Sequence, residues 1–390
     1  MIKRTLADCA LQMAEKYPVV TITGPRQSGK TTLARQTFPE KPYANLEHPV
    51  TRAFAQDDPA GFLAQFRNGA IIDEIQRVPL LLSYIQVEVD EKRQNNLYIL
   101  TGSQQFNMGA KISQSLAGRT AILYLLPFSL SEVQKYGDID LDNLLFRGFY
   151  PRIYEDNLDP VQMYGDYFET YIERDLRQLS ELKNIALFEK FIRLSAGRVG
   201  QLLNLSSLAN DTGISQTTAR EWISLLQTSF VIFLLQPFHA NIRKRLVKTP
   251  KIYFYDVGLA AWLCGVETAA HIRSHPLRGH FFENMMIAEI LKFRFNMGRR
   301  NNLTFFRDNT GNEVDVLYHV ADEIIPIEIK AGQTITSDYF KNLKIFSNLG
   351  LNLPYGGFVV YAGKVEQKRR YGHVLNFRKL TKKLQTLLKS

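Results

Sequence analysis

The stretch Gly24-Pro25-Arg26-Gln27-Ser28-Gly29-Lys30-Thr31, with the apolar run Val19-Val20-Thr21-Ile22-Thr23 before it and Thr32-Leu33-Ala34-Arg35 after it, constrains this chain more than any other. A phosphate-binding turn needs a strand to deliver the chain to it. It also needs glycines so that backbone N–H groups can approach the anion, and a helix whose positive end starts at the turn. All three requirements are met here in the spacing of a P-loop. Lys30 is placed to reach the β- and γ-phosphates of a nucleoside triphosphate, and the Thr31 hydroxyl to sit on Mg²⁺. The expected ligands are therefore a nucleoside triphosphate and Mg²⁺, cradled by residues Gly24 to Thr32.

A chain of 390 residues is too long for one ordinary core, and 45% hydrophobic with 22% charged residues places it among folded globular proteins. No stretch approaches the roughly 20 apolar residues that span a bilayer, and the first residues lack the pattern of a secretion signal. Cys9 and Cys264 lie far apart in apolar surroundings, which argues against a disulfide framework or a zinc site. A cytoplasmic protein without a membrane partner is the expectation. The net charge of +10 favours polyanionic partners without saying which ones. Basic residues concentrate at Arg243-Lys244-Arg245 with Lys248 and Lys251, and again from Lys364 to Lys389.

Five short β-rich runs alternate with helical segments between residues 18 and 126, as in an α/β, doubly wound parallel sheet. The strands are read at Val19–Thr23, Tyr43–Leu46, Ala70–Asp73, Leu97–Thr101 and Ala121–Leu126. The intervening helices are read at Thr31–Phe38, Thr51–Phe66, Leu80–Gln94 and Gln105–Leu116. This gives a P-loop core over 1–127. A helical lid over 128–195 follows, with helices at Ser129–Tyr136 and Pro160–Leu182. Residues 196–265 read as a winged helix: two short helices around Gly213, a strand at Phe230–Leu235, a basic hairpin from His239 to Lys251 and a strand at Ile252–Tyr255. If that unit contacts DNA, Gln216, Thr217, Thr218 and Arg220 face the groove while Arg243, Lys244, Arg245 and Lys248 hold phosphates. Residues 276–390 form a last α/β domain.

Hydrolysis needs a carboxylate for the metal, a group that orients the attacking water, and a positive charge for the transition state. The run Ala70-Ile71-Ile72-Asp73-Glu74 ends a buried strand with two acids: Asp73 for the metal, Glu74 for the water. Ile99-Leu100-Thr101-Gly102-Ser103 ends a neighbouring strand, so Ser103 or Thr101 is placed to sense the γ-phosphate. Taken with Ser115-Leu116-Ala117-Gly118-Arg119, Glu173-Arg174-Asp175-Leu176 and Lys248 to Leu259, these motifs resemble the prokaryotic AAA-type ATPases that carry an uncharacterised C-terminal domain. The resemblance implies ATP hydrolysis by Lys30, Asp73, Glu74 and Ser103. It further implies an arginine finger at Arg119, reaching a neighbouring subunit's nucleotide or its own, and a homo-oligomer, plausibly a ring.

The last domain has acids of its own. Glu283 lies on a helix, Asp315 within a strand, and Glu328 and Lys330 alternate onto one face of the next strand. Carboxylates suit Mg²⁺, and a lysine there can orient or deprotonate a water. The order of an acid, then Asp, then Glu-x-Lys resembles the restriction-endonuclease-like core. Three classes of function thus stay open: a motor or switch acting on DNA, an ATP-licensed Mg²⁺-dependent nuclease, and a signalling-type switch that binds a protein partner.

Overall fold

The computed structural model describes residues 2–103, 115–173, 184–238 and 247–388. Its helices, numbered along the described chain, begin with α1 (Leu6–Ala14), α2 (Lys30–Thr37), α3 (Pro49–Asp57), α4 (Pro59–Ala64) and α5 (Leu81–Lys92). With them come β1 (Val19–Thr23), β2 (Tyr43–Asn45), β3 (Ile71–Asp73), β4 (Tyr98–Gly102) and β5 (Thr120–Tyr124). These strands form one parallel sheet of order β2-β3-β4-β1-β5.

β1 and β4 are buried along their whole length, because helices cover both faces. Alternate side chains therefore enter different cores. Val19, Ile72 and Leu100 pack with α5 residues Leu81, Leu82 and Ile85 on one side, while Val20, Ile22, Ile71 and Ile99 meet Leu33 and Leu6 on the other. The five strands lie within a residue or two of their sequence-read positions. The single helix read over Thr51–Phe66 is two helices, because Pro59 cannot continue α3 and instead opens α4 behind an Asp58 cap.

The chain then forms α6 (Leu130–Val133), α7 (Leu141–Arg147), α8 (Pro151–Glu155), α9 (Pro160–Tyr167), α10 (Ile185–Ala196), α11 (Leu205–Thr212) and α12 (Gln216–Thr228). The rest comprises β6 (Ile232–Pro237), β7 (Lys251–Phe254), α13 (Val257–Leu263), α14 (Ala269–Ser274), α15 (Arg278–Asn296), β8 (Leu303–Arg307), β9 (Glu313–Val320), β10 (Glu323–Lys330), α16 (Lys341–Ser347), β11 (Phe358–Tyr361), β12 (Gln367–Arg369), β13 (Gly372–Asn376) and α17 (Leu380–Leu387). None of the described helices is long and apolar enough to cross a membrane.

The strand pair read as a wing does not stand alone. β6 pairs with β8 at Gln236 and Pro237, so β7 and β6 extend an eight-stranded sheet of order β12-β13-β11-β10-β9-β8-β6-β7. The strand read from Phe230 begins later, at Ile232, because Phe230 sits in the left-handed region at φ 56°. One hydrophobic core runs from Leu126 through the α11–α12 pair to Leu384. The segments 196–265 and 276–390 therefore share a core across the boundary read between them. α15 buries side chains all round, since it packs on β5 and α1 of the first sheet and on β7 and β10 of the second.

Asp256 is the polar centre of this second half. Fully buried, it caps α13 through the Leu259 N–H (3.1 Å) and accepts the Phe149 N–H (2.7 Å) and the Tyr164 hydroxyl (2.5 Å). Gly148 leaves room for it: a Cβ there would lie 2.3 Å from Asp256 Oδ1. Asp256→Ala strands two buried N–H donors, at about 1–3 kcal/mol each, while the Tyr164 hydroxyl keeps the Arg147 carbonyl at 2.9 Å. A loss of about 2 kcal/mol or more is expected, read as a lower urea midpoint.

Candidate nucleotide site and a second acidic cluster

The turn after β1 takes its shape from three backbone positions. Gly24 has φ 151°, and a Cβ on it would meet the Leu125 carbonyl oxygen at 2.1 Å. Gln27 (φ 58°) and Gly29 (φ 88°) are left-handed, which curls the loop before α2 starts at Lys30. Ser28 ties the loop internally, its hydroxyl donating to the Pro25 carbonyl at 2.9 Å. From outside, the Arg4 guanidinium donates to the Ser28 carbonyl at 2.6 Å. Arg26 lies over the Tyr171 ring, 5.4 Å from its centroid. Lys30 Nζ donates to the carbonyls of Pro25 (2.7 Å) and Gly24 (3.2 Å), which holds the ammonium at the mouth of the loop.

Asp73, at the end of β3, accepts the Thr31 hydroxyl at 2.9 and 3.1 Å, the Tyr43 hydroxyl at 2.7 Å and the Thr101 hydroxyl. All three donors are neutral hydroxyls. With the Thr31 hydroxyl the carboxylate forms an oxygen pair that suits Mg²⁺ held through its water shell. Glu74 stands next to it with a left-handed backbone, φ 57°. Burial pushes its carboxyl above the ordinary range, with Lys30 opposing and Asp73 reinforcing the shift. The Gln76 amide donates to Glu74 and, at 3.2 Å, to Ser103 Oγ, linking the two residues read as water-orienting group and sensor. Gln76 had no role in the sequence reading. Its position shows only once the turn Ile75–Arg77 folds it back over Gly102, where a Cβ would meet Gln76 Oε1 at 2.4 Å.

Arg119 is elsewhere. It precedes β5, at the opposite end of the sheet from the P-loop, about 16 Å away along β1 at ~3.3 Å per residue. There it forms a bidentate pair with Asp90, at 2.6 and 2.7 Å. Reach to its own chain's nucleotide is thereby excluded.

The C-terminal acids converge as read. Lys330 Nζ lies 2.9 Å from Glu328 and 3.6 Å from Asp315, and Asp315 accepts the Ile329 N–H at 2.6 Å. Burial first, and the Asp315 charge second, push the Glu328 carboxyl up. Glu283 joins them from α15. Three further members escaped the sequence reading: Glu313, one residue pair before Asp315 on the same strand face, and Lys251 and Tyr253 from β7. The β7 residues were hidden because they enter only through the β6–β8 pairing.

Of the residues read as a DNA contact, Gln216, Thr217 and Arg220 are exposed in the first turns of α12, Thr218 is half-buried there, and Lys248 is exposed before β7. Arg243, Lys244 and Arg245 lie outside the described residues, as do most of the helix read at Gln105–Leu116 and Arg174-Asp175-Leu176.

Lys30 sets a pH dependence. Its burial lowers the ammonium pKa from the ordinary 10.5 to about 8, with Glu74 and Asp73 opposing. A phosphate needs the charged form, so nucleotide affinity should be flat below pH 8. Above it, affinity should fall by up to about tenfold per pH unit with proton uptake on binding, measurable by calorimetry in buffers of different ionisation enthalpy.

Residues 16–134 match the family model of an AAA domain, and 138–270 and 278–380 match two domains of unknown function, DUF8612 and DUF4143. Two uncharacterized mycobacterial proteins, Rv2008c of Mycobacterium tuberculosis and Mb2031c of Mycobacterium bovis, are each 31% identical over 339 residues, covering 86% of this chain and 75% of theirs. The Walker-type ATPase of Pyrococcus abyssi superposes with a TM-score of 0.42 at 14% identity, covering 67% of this chain and 95% of that one. The chain therefore belongs to the family of these mycobacterial proteins, with an AAA-type P-loop ATPase domain at its head.

Proposed function

We propose that this protein hydrolyses ATP and uses the cycle to change its hold on DNA. One observation carries the reading: Lys30, the Thr31–Asp73 pair and the Glu74–Gln76–Ser103 chain meet at the C-terminal edge of β1, β3 and β4. In an open parallel sheet that edge is where a ligand binds. Thr31 and Asp73 would hold Mg²⁺, which would supply positive charge against the phosphates. Lys30 and the loop N–H groups hold the phosphates, Glu74 orients and takes a proton from the attacking water, and Ser103 faces the γ-phosphate. A role for Arg119 at a nucleotide then requires a second copy of the chain, in which this side chain leaves Asp90.

For DNA the support is the net charge of +10 and the exposure of Gln216, Thr217 and Arg220 in the first turns of α12 and of Lys248 before β7. Lys30→Ala should abolish nucleotide binding, and Glu74→Gln should bind ATP while hydrolysing it about a hundredfold more slowly or worse. Wild-type turnover by Glu74→Gln would remove the assignment of that residue. DNA should accelerate turnover in a salt-sensitive manner. Unchanged turnover with no DNA retained at low salt would pass the reading to a protein-binding switch.

A nuclease reading has its own support in the convergence of Asp315, Glu328 and Lys330. The element order α15, β8, β9, β10, α16, β11, with β8 to β10 antiparallel and β11 parallel to β10, fits a restriction-endonuclease-like core. Mg²⁺-dependent DNA cleavage that disappears in Lys330→Ala is its test.

A further inference from the structure

A restriction-endonuclease-like core implies Mg²⁺ at the C-terminal acids, and Glu283, Glu313 and Asp315 do offer carboxylate oxygens within 4.8 Å of one another. The side chains around them do not fit that ion. Lys251 Nζ lies between two of the three acids, 2.5 Å from Glu313 Oε1 and 3.0 Å from Glu283 Oε1. Glu283 Oε1 also accepts the Tyr253 hydroxyl, which uses both of its lone pairs. The second oxygen of Glu313 is taken by Arg307 at 2.9 Å. Asp315 and Glu328 share Lys330, and Glu328 Oε1 accepts the Asn342 amide at 3.0 Å as well. Mg²⁺ demands near-octahedral oxygen ligands at about 2.0–2.1 Å. Glu283 Oε2 and the buried Glu328 Oε2 lie outside these contacts, but an ion held through them would stand beside the ammonium groups that already touch Oε1 of the same carboxylates.

We propose that Lys251 is the resident cation of this cluster, its ammonium standing where a divalent ion would sit, so that the C-terminal acids form an internal ion-pair lattice and not a metal centre. The backbone fixes Lys251 in that place. It begins β7, opposite Leu235 in the β6–β7 ladder, and bridges Leu202; beside it the Leu203 N–H donates to the Pro250 carbonyl at 2.8 Å and the Ile252 N–H to the Gln201 carbonyl at 3.1 Å. Its side chain is 3% exposed and passes over the Phe305 ring. Burial alone would lower the ammonium pKa, but Glu283, Glu313 and Asp315 more than reverse this, so the charge persists at any working pH. Four carboxylates thus face three cationic side chains, Lys251, Lys330 and Arg307, among the described residues. Metal-dependent cleavage by this domain then requires Lys251 to withdraw from Glu283 and Glu313.

The test is Mn²⁺ uptake by the full chain without nucleotide, followed as loss of the free-ion electron paramagnetic resonance signal, with Asp73→Asn present throughout to silence the P-loop acid. With Lys251 intact, Mn²⁺ should stay free. Lys251→Met should take up about one Mn²⁺ per chain, and Asp315→Asn added to it should abolish the uptake. Circular dichroism checks that the variant folds, and Lys251→Gln replaces it if it does not. Mn²⁺ uptake by the chain that retains Lys251, lost in Asp315→Asn, would overturn the proposal, as would a folded Lys251→Met that takes up none. The first arm reads without either variant. Nucleotide binding at Lys30 is unaffected by either result, so the ATPase reading stands or falls separately.

Discussion

Arg4 ties the P-loop to the segment where the second half of the molecule begins. Buried at 6% exposure, it donates to the Ser28 carbonyl in the P-loop (2.6 Å), to the Leu126 carbonyl just past β5 (2.7 Å) and to Glu132 in α6 (3.1 Å). A guanidinium has donors in a rigid fork, so one side chain can fix three chain segments at once. Desolvating it is tolerable only because Glu132 pairs with it. Glu132 in turn accepts the Thr5 N–H at 2.6 Å and the Ser129 N–H at 2.8 Å, closing the box that caps α6. Burial alone would raise the Glu132 carboxyl, and Arg4 with these two N–H groups brings it below its ordinary value. Breaking such a pair from one side costs about 3–5 kcal/mol.

The line continues beyond α6. The Leu130 N–H donates to Glu289 at 3.0 Å, and Lys292, one turn further along α15, donates to the Phe128 carbonyl at 2.8 Å. Burial raises the Glu289 carboxyl to about 7, with Lys292 opposing. The same helix carries Glu283 into the second cluster. Hydrogen bonds through Arg4, Glu132 and the Ser129–Leu130 backbone thus join the Ser28 carbonyl to the helix that also builds the C-terminal site.

The first half was legible because its signals are local. A glycine-bounded loop between an apolar strand and a helix, and two acids closing a second apolar strand, specify position and chemistry within a few residues. Asp73 and Glu74 stand beside Lys30 for that reason. Arg4 and Gln76 were not legible: an arginine near the N-terminus and a glutamine after two acids look like surface residues until long-range packing buries them. Glu328 and Lys330 were found from alternation along β10, and Glu283 and Asp315 from the order of acids before them. Lys251 was missed because its pairing with Glu283 and Glu313 depends on β6 joining β8, a contact between strands far apart in sequence. The same pairing is why a strand pair that reads as a free wing became the edge of a larger sheet.

The two acidic sites solve one electrostatic problem in opposite ways. Buried carboxylates must be paired, hydrogen-bonded or protonated. Asp73 is surrounded by the hydroxyls of Thr31, Tyr43 and Thr101, which lower the cost of burial without cancelling its charge. Glu283, Glu313, Asp315 and Glu328 are instead met by ammonium and guanidinium groups, which set three positive charges of the chain's own against the four acids. The type of donor around a carboxylate, more than the number of carboxylates gathered, decides whether a site waits for a cation or has supplied its own. By that criterion the P-loop end of the molecule is built to receive, and the C-terminal cluster is built closed.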